Sequence, residues 1–129
     1  MNIRTRKFIC LFLLLLVVGS LLACSTNDAQ KLDPRTVLGV TQIESGAFLL
    51  DVRSSEEFQS GHISGAHNIS YDVIADNLEL LPRDKTKPIV VYCRSGRRSA
   101  LSKSTLENHG YTNIVDAGAY SELKAALGN

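Results

Sequence analysis

The sequence feature that most constrains the fold is the apolar run at residues 88–92, PIVVY. Its length suits a single strand, and its side chains are apolar on both faces rather than on alternate positions. A strand of that kind is typical of the centre of a parallel sheet that is covered on both sides. The run therefore predicts a buried parallel sheet with helices packed against it.

Helix and strand signals alternate through the chain from residue 34 onward. Further strands are predicted at 47–52, 66–69 and 113–116, and helices at 34–45, 54–60, 71–81, 97–109 and 120–127. Glycine or proline ends most of these helices, and apolar residues recur at helical spacing within 71–81. This alternation predicts an α/β fold: a single domain, residues 34–129, with a mostly parallel central sheet and helices on both faces.

Length and charge limit the classes of function that are open to the chain. Its 129 residues allow one domain and exclude a large multidomain enzyme. The first 23 residues hold three basic and no acidic side chains; the remainder has 11 basic and 13 acidic groups, a net charge of −2. Because there is no basic surplus, we expect no nucleic-acid partner. Nothing in the sequence demands a dimer, so a monomer is expected.

The N-terminus is typical of an export signal. Three basic residues at positions 4–7 precede eleven consecutive apolar residues at 8–18, and small residues follow before Cys24. The stretch 8–23 spans 16 residues, whereas a membrane-spanning helix needs about 20. Residues 21–24, LLAC, resemble the lipobox of bacterial lipoproteins. That resemblance implies a signal peptide at 1–23, cleavage before Cys24 and lipidation of Cys24.

The lipobox resemblance also implies a place in the bacterial cell envelope, facing the periplasm or the exterior. Several acyl chains on Cys24 would hold the domain at a membrane, whereas one chain binds only marginally. Residues 24–33 are then expected to form a polar, flexible tether. Ser25 stands where an Asp would resemble an inner-membrane retention signal, which favours the outer membrane. The alternative is an uncleaved anchor, or a plain secretory signal in which Cys24 is incidental.

Processing at Cys24 would leave Cys93 as the only thiol of the three cysteines, since Cys10 lies in the signal peptide. Exported proteins tend to use cysteines in pairs, so an unpaired thiol in an oxidising compartment indicates a functional residue. Cys93 also follows the central predicted strand directly and precedes a predicted helix. Ligands of such sheets bind beyond the carboxyl ends of the strands, which is where Cys93 is expected.

The segment that follows Cys93 is suited to holding anions. Arg94, Arg97 and Arg98 lie within five residues of the cysteine, and Gly96 permits a tight loop. Nearby cations and the N–H groups at a helix start lower a thiol pKa, and the same groups bind an anionic substrate. Arg94 and Arg97 are the candidates for bidentate recognition of an oxyanion. The alternative is a buried structural cysteine beside solvated arginines.

Four groups of residues, in order along the chain, resemble those of a single-domain rhodanese, a thiosulfate or persulfide sulfurtransferase. The resemblance extends from residue 36 to residue 127 and comprises 49–53 with 57–58, 61–69, 90–99, and 110–111 with 118. It implies a rhodanese-like fold and an enzyme whose Cys93 accepts a sulfane sulfur. It also implies a six-residue active-site loop composed of Cys93, Arg94, Ser95, Gly96, Arg97 and Arg98.

The reaction that the resemblance implies begins with attack of the Cys93 thiolate on a small anionic sulfur donor such as thiosulfate. Sulfite leaves and a Cys93 persulfide remains. A thiophilic acceptor, either cyanide or a thiol, then removes the sulfur. Because sulfur itself does this chemistry, neither a metal nor an organic cofactor is expected.

Three other functions use a loop of this kind. A cysteine phosphatase needs an arginine six positions after the cysteine, and that position is Ser99. A thiol redox protein needs a second, resolving cysteine, and none would remain after processing. A persulfide carrier or binding module at the cell envelope, with little turnover of its own, would use the same residues as the enzyme. The sequence leaves this last alternative open.

Several polar residues outside the loop are expected to be structural. Asp51 and Arg53, at a predicted strand end, are expected to pair with neighbours. His62 and His67 lack further ligands at metal-binding spacing, so a turn and a strand position are expected for them. Many rhodaneses carry a Trp near the last helix, and here Tyr120 is expected to take its place.

Overall fold

The computed structural model describes residues 31–128. Its elements in chain order are α1 (Pro34–Glu44), β1 (Phe48–Asp51), α2 (Ser55–Gln59), β2 (His67–Asn68), two 3₁₀ turns (Ile74–Asp76 and Leu78–Leu80), β3 (Ile89–Cys93), α3 (Arg97–Asn108), β4 (Ile114–Ala119) and α4 (Tyr120–Ala126). The four strands form one parallel sheet in the order β2-β1-β3-β4. The prediction of an α/β fold with a parallel central sheet is confirmed.

β3 lies in the middle of the fold because its side chains are apolar on both faces. All five of its residues are buried, and it pairs with β1 on one side and with β4 on the other. Successive side chains point to opposite faces of the sheet. Val91 and Cys93 lie in the core that α3 covers, whereas Val90 and Tyr92 lie in the core that α1 and α4 cover. Cys93 therefore stands at the carboxyl end of the central strand, on the α3 side.

α1 lies close against β4 because Gly39 has no side chain. A Cβ atom at this position would lie 2.5 Å from the Cβ of Ala117, well inside the contact distance of two carbon atoms. Glycine in a helix interior costs about 1 kcal/mol relative to alanine, and here it permits the close packing of helix on strand. This packing places the first turn of α1 beside the loop that follows β3.

The prediction of a helix at 71–81 is wrong, since the two 3₁₀ turns occupy this segment. The side-chain amide of Asn77 donates to the carbonyl of Val73 over 2.8 Å. In an α-helix that carbonyl would accept from the backbone N–H of Asn77, so the side chain replaces a helical hydrogen bond. Ile74 and Leu81 are buried and hold the segment on the core. The spacing of these two residues therefore reflects two separate contacts with the core and not the apolar face of one helix.

β4 extends further than the predicted strand at 113–116, and it contains a β-bulge. Val91 pairs with Asp116, whereas Cys93 pairs with Ala119, so β4 has one more residue than β3 between these pairs. The bulge includes Gly118. Its consequence for the site is that Gly118 comes against the loop that follows β3.

The predictions for residues 1–30 lie outside the described residues; they are the signal peptide, the lipidation of Cys24 and most of the tether. Residues 31–33 precede α1 without regular secondary structure, and Asp33 caps the helix by accepting from the Arg35 N–H. Within residues 31–128 no helix combines the length and the hydropathy that crossing a membrane requires.

Candidate active site

Cys93 ends β3, and the loop that follows leads directly into α3. The residue before the helix, Gly96, has a φ of +93°, which residues with a side chain rarely adopt. In this conformation the Gly96 N–H points at the cysteine, with 3.1 Å between the nitrogen and Sγ. The hydroxyl oxygen of Ser99 lies 3.6 Å from the same sulfur. The loop therefore closes around Sγ, and Cys93 is fully buried.

The loop favours the thiolate form of Cys93 in spite of this burial. Burial raises the pKa of the Cys93 thiol, because the anion loses its water. Hydrogen bonds from the Ser99 side chain and from the backbone N–H groups of Ser99, Ser95 and Gly96 outweigh that effect. The pKa of Cys93 is consequently lowered below its ordinary value. The Gly96 N–H points at the sulfur before any substrate binds, so the site is organised to hold negative charge there.

The three arginines of the loop have different surroundings. Arg94 and Arg97 are exposed, and neither makes an ion pair with any residue at 31–128. Arg98 forms a bidentate ion pair with Glu57, with N–O distances of 2.7 and 2.9 Å. The pKa of Arg98 is raised, first by these hydrogen bonds and further by the charge of the nearby Cys93 thiolate. Arg94 and Arg97 are thus open to an anion from solvent, whereas Arg98 is held beside the sulfur.

Glu57 connects α2 with the active-site loop. Its carboxylate accepts from the Ser54 N–H (3.0 Å), and its own N–H donates to the Ser54 hydroxyl (3.3 Å), which completes a capping box. The same carboxylate accepts from Arg98, and this interaction lowers the pKa of Glu57 to about 2. The cap is visible in the sequence, whereas the contact with the loop, 41 residues away, is not.

Arg35, in the first turn of α1, packs against the loop that follows Cys93, although it is not one of the predicted site residues. Its guanidinium donates to Asp33 (2.7 Å) and to Asp116 (3.2 Å). A Cβ atom at Gly96 would lie 3.3 Å from Nη1 of Arg35 and 3.6 Å from the Cα of Gly118. A side chain at Gly96 would be strained by the positive φ and would also require the Arg35 guanidinium to move by a few tenths of an ångström. No local sequence signal identifies Arg35, because Asp116 lies 81 residues further along the chain.

Asp51 and Arg53 pair with each other, as expected for structural residues. Both are buried, and the Arg53 guanidinium lies 2.6 Å from the Asp51 carboxylate and 2.8 Å from the carbonyl oxygen of Gly61. The guanidinium also lies over the ring of Tyr120, 4.1 Å from its centroid. Tyr120 in turn stacks on Tyr92 at 5.9 Å. Tyr120 therefore packs against the core at the start of α4.

His62 and His67 take structural positions in the loop after α2 and in β2. Nδ1 of His62 lies 2.9 Å from the carbonyl oxygen of Phe58, and the two rings stack at 3.8 Å. His67 stacks on Phe48 at 4.4 Å. In the described part of the chain, no three side chains of His, Cys, Asp or Glu come together as a metal site would require.

Comparison with known protein families agrees with this geometry. The sequence profile of the rhodanese-like domain matches residues 40–126, which include all four strands and the loop after Cys93. The chain belongs to the rhodanese-like domain family. In this rhodanese-like domain, the four-stranded parallel sheet carries the loop that follows Cys93.

Relatives of this rhodanese-like domain include sulfurtransferases. The thiosulfate sulfurtransferase PspE of Escherichia coli strain K12 is 34% identical over 74 residues, which are 57% of this chain and 71% of that protein. A solved structure of a rhodanese with anions from E. coli is 32% identical, covers 60% of this chain and 91% of that chain, and has a TM-score of 0.57. The human single-domain sulfurtransferase TSTD1 is 29% identical, covers 67% and 88%, and has a TM-score of 0.58. The predictions of a rhodanese-like fold and a rhodanese-like enzyme are therefore confirmed.

The low pKa of Glu57 makes part of the stability of the domain depend on pH. Because the folded-state pKa of about 2 lies below the ordinary value of 4.5, the ion pair stabilises the fold above about pH 4.5. This stabilisation is lost as the pH falls towards 2. We expect Glu57→Gln, which can still cap α2, to lower the free energy of unfolding by about 1–2 kcal/mol at pH 7 and by much less near pH 2. Urea denaturation at both pH values measures the difference.

Glu79→Gln is the matched control for this measurement. Glu79 is exposed and makes no ion pair within residues 31–128, so its variant should follow the wild-type stability at every pH. An equal loss of stability by Glu57→Gln at pH 7 and near pH 2 would contradict the ion-pair explanation.

Proposed function

We propose that the chain is a sulfurtransferase that moves a sulfane sulfur from thiosulfate, or a related small anionic donor, through a Cys93 persulfide to cyanide or a thiol. The observation that carries the proposal is the surroundings of Sγ. The Gly96 N–H lies 3.1 Å from the sulfur, and the pKa of Cys93 is lowered although the side chain is buried. The relative that is named a thiosulfate sulfurtransferase supports the choice of donor.

The proposed reaction consists of two transfers of one sulfur atom. First, the Cys93 thiolate attacks the outer sulfur of thiosulfate; a bond forms between Sγ and that sulfur, the S–S bond of the donor breaks, and sulfite leaves with the electron pair. Second, the acceptor attacks the outer sulfur of the persulfide, and the bond to Sγ breaks to regenerate the thiolate. Each transfer begins and ends with an anionic sulfur in the loop, which is the charge that the N–H groups stabilise.

The exposed arginines of the loop fit an anionic donor. Arg94 and Arg97 carry charges that are not neutralised by any described residue, and each guanidinium offers paired N–H donors to an oxyanion. They would hold the oxygens of thiosulfate on the solvent side of the loop. The outer sulfur of the donor, which carries no oxygen, would then be left to approach Sγ.

The direct test of the proposal is the formation of thiocyanate from thiosulfate and cyanide by the full chain and by Cys93→Ser. We expect repeated turnover by the wild type and none by the variant, because a serine hydroxyl cannot carry a sulfane sulfur. Circular dichroism should show the same folded structure for both proteins. Wild-type turnover by Cys93→Ser would overturn the proposal. Uptake of one sulfur without repeated turnover would instead favour the persulfide carrier.

Replacement of Arg94 or Arg97 by alanine should weaken donor binding more than folding. Each change removes one exposed positive charge beside the donor, so we expect the KM for thiosulfate to rise about threefold to tenfold with an unchanged urea midpoint. Added salt should reduce the difference, because salt screens exposed charges.

Arg83→Ala is the matched control for the arginine variants. Arg83 is also exposed, but it lies in the loop before β3, at the opposite end of the strand from Cys93. Its replacement should leave the KM unchanged. A rise in KM for Arg83→Ala as large as for Arg94→Ala and Arg97→Ala would contradict a local role for the loop arginines.

We also propose that the chain is a lipoprotein of the bacterial cell envelope, lipidated at Cys24, facing the periplasm or the exterior and held at the outer membrane. Support comes from the sequence pattern: basic residues at 4–7, the apolar run at 8–18 and the lipobox-like residues 21–24. Residues 24–33 would then link the lipid to the domain.

Cys24→Ser tests the lipoprotein proposal. In a bacterial host the wild-type chain should incorporate labelled palmitate, whereas Cys24→Ser should not because no thioether can form. Cys10→Ser is the matched control, and it should retain the label because Cys10 lies in the predicted signal peptide. Label on Cys24→Ser would contradict the proposal. A density gradient that separates the two membranes tests the outer-membrane assignment.

A further inference from the structure

Ser99 lies beside the reactive sulfur, and the steps proposed above assign it no role in the transfer. It is fully buried in the first turn of α3, with Oγ 3.6 Å from Cys93 Sγ and 3.0 Å from the carbonyl oxygen of Gly96. While the thiol is neutral, its S–H donates to Ser99 Oγ, and the Ser99 hydroxyl donates to the Gly96 carbonyl. A thiolate has no proton to donate and needs a donor itself. A hydroxyl can rotate to become that donor.

We propose that the Ser99 hydroxyl is a further catalytic group, which donates to the Gly96 carbonyl while Sγ is neutral and to Sγ while it carries negative charge. The change of partner leaves no group without a hydrogen bond, because the Gly96 carbonyl also accepts from the Ala100 N–H at 3.2 Å. An unpaired buried carbonyl would have opposed the change, since leaving such a group unsatisfied is costly. The inference rests on the sulfur transfer proposed above.

The charge on Sγ changes twice in the proposed cycle. When the thiolate forms its bond to the sulfane sulfur and sulfite departs, the negative charge passes to the outer sulfur, and Ser99 returns to the Gly96 carbonyl. When the acceptor takes the outer sulfur, the electron pair of the broken bond returns to Sγ. Ser99 then donates to Sγ again. The hydroxyl therefore stabilises Cys93 both as a nucleophile and as a leaving group.

Loss of the hydroxyl has opposite consequences for the two transfers. Without it the thiolate is less stable, so at low pH less of it is present and loading with sulfur is slower. At a pH where Cys93 is fully ionised, the more basic thiolate attacks at least as fast as the wild type. Unloading is slower at every pH, because a more basic thiolate is a poorer leaving group. General damage to the site would slow both transfers at every pH.

Ser99→Ala tests this asymmetry, and Ser102→Ala is its matched control. Ser102 is also fully buried in α3, but its hydroxyl donates to the carbonyl of Arg98 (2.9 Å). Thiolate absorbance against pH follows ionisation, sulfite release follows loading, and thiocyanate formed from the loaded protein and cyanide follows unloading. For Ser99→Ala we expect a thiolate fraction about fivefold to tenfold lower at pH values below the midpoint, and unloading about threefold slower. Ser102→Ala should match the wild type.

Three results would overturn the role of Ser99. The titration of Ser99→Ala could match the wild type, Ser102→Ala could shift it equally, or Ser99→Ala could slow loading and unloading alike at high pH. The titration needs no sulfur donor, so it tests the hydrogen bond separately from the sulfur chemistry. Failure of the proposed function itself would instead appear as a wild-type protein that takes up no sulfur.

Discussion

The hydrogen bond from the Gly96 N–H to Cys93 Sγ is the interaction on which the rest of the site depends. A buried thiolate loses the stabilisation of water, so it forms only where protein donors take the place of that water. Gly96 supplies such a donor because its backbone has a positive φ, and Arg35 and Gly118 pack against it in that conformation. The close packing of α1 at Gly39 and the bulge in β4 keep these partners in place. Features far from the cysteine in sequence thus determine whether its sulfur can hold a charge.

The arrangement of the arginines separates the positive charge that is paired within the fold from the positive charge that is open to solvent. Glu57 neutralises Arg98 and fixes it near the sulfur. Three uncompensated cations within five residues would repel one another. With Arg98 paired, the free positive charge lies on Arg94 and Arg97, which are open to solvent. Salt screens charges at that position, so the proposed binding of an anionic donor there would depend on ionic strength.

The sequence predicts the framework of the site better than its supporting contacts. The apolar run that becomes β3, and the position of Cys93 directly after it, follow from local patterns of burial and chain geometry. The helix predicted at 71–81 fails because one side chain, Asn77, competes for a backbone carbonyl that the apolar spacing does not reveal. The contacts of Glu57 and Arg35 with the loop join residues that only the folded chain brings together. They depend on tertiary packing, which local periodicity does not encode.

Mass spectrometry of the reduced full chain after incubation with thiosulfate tests the central claim most directly, namely that Cys93 carries the transferred sulfur. The account predicts a gain of one sulfur atom, located on the peptide that contains Cys93 and removed by cyanide as thiocyanate. A folded protein that gains no sulfur, although its Cys93 still reacts with iodoacetamide, would contradict the account.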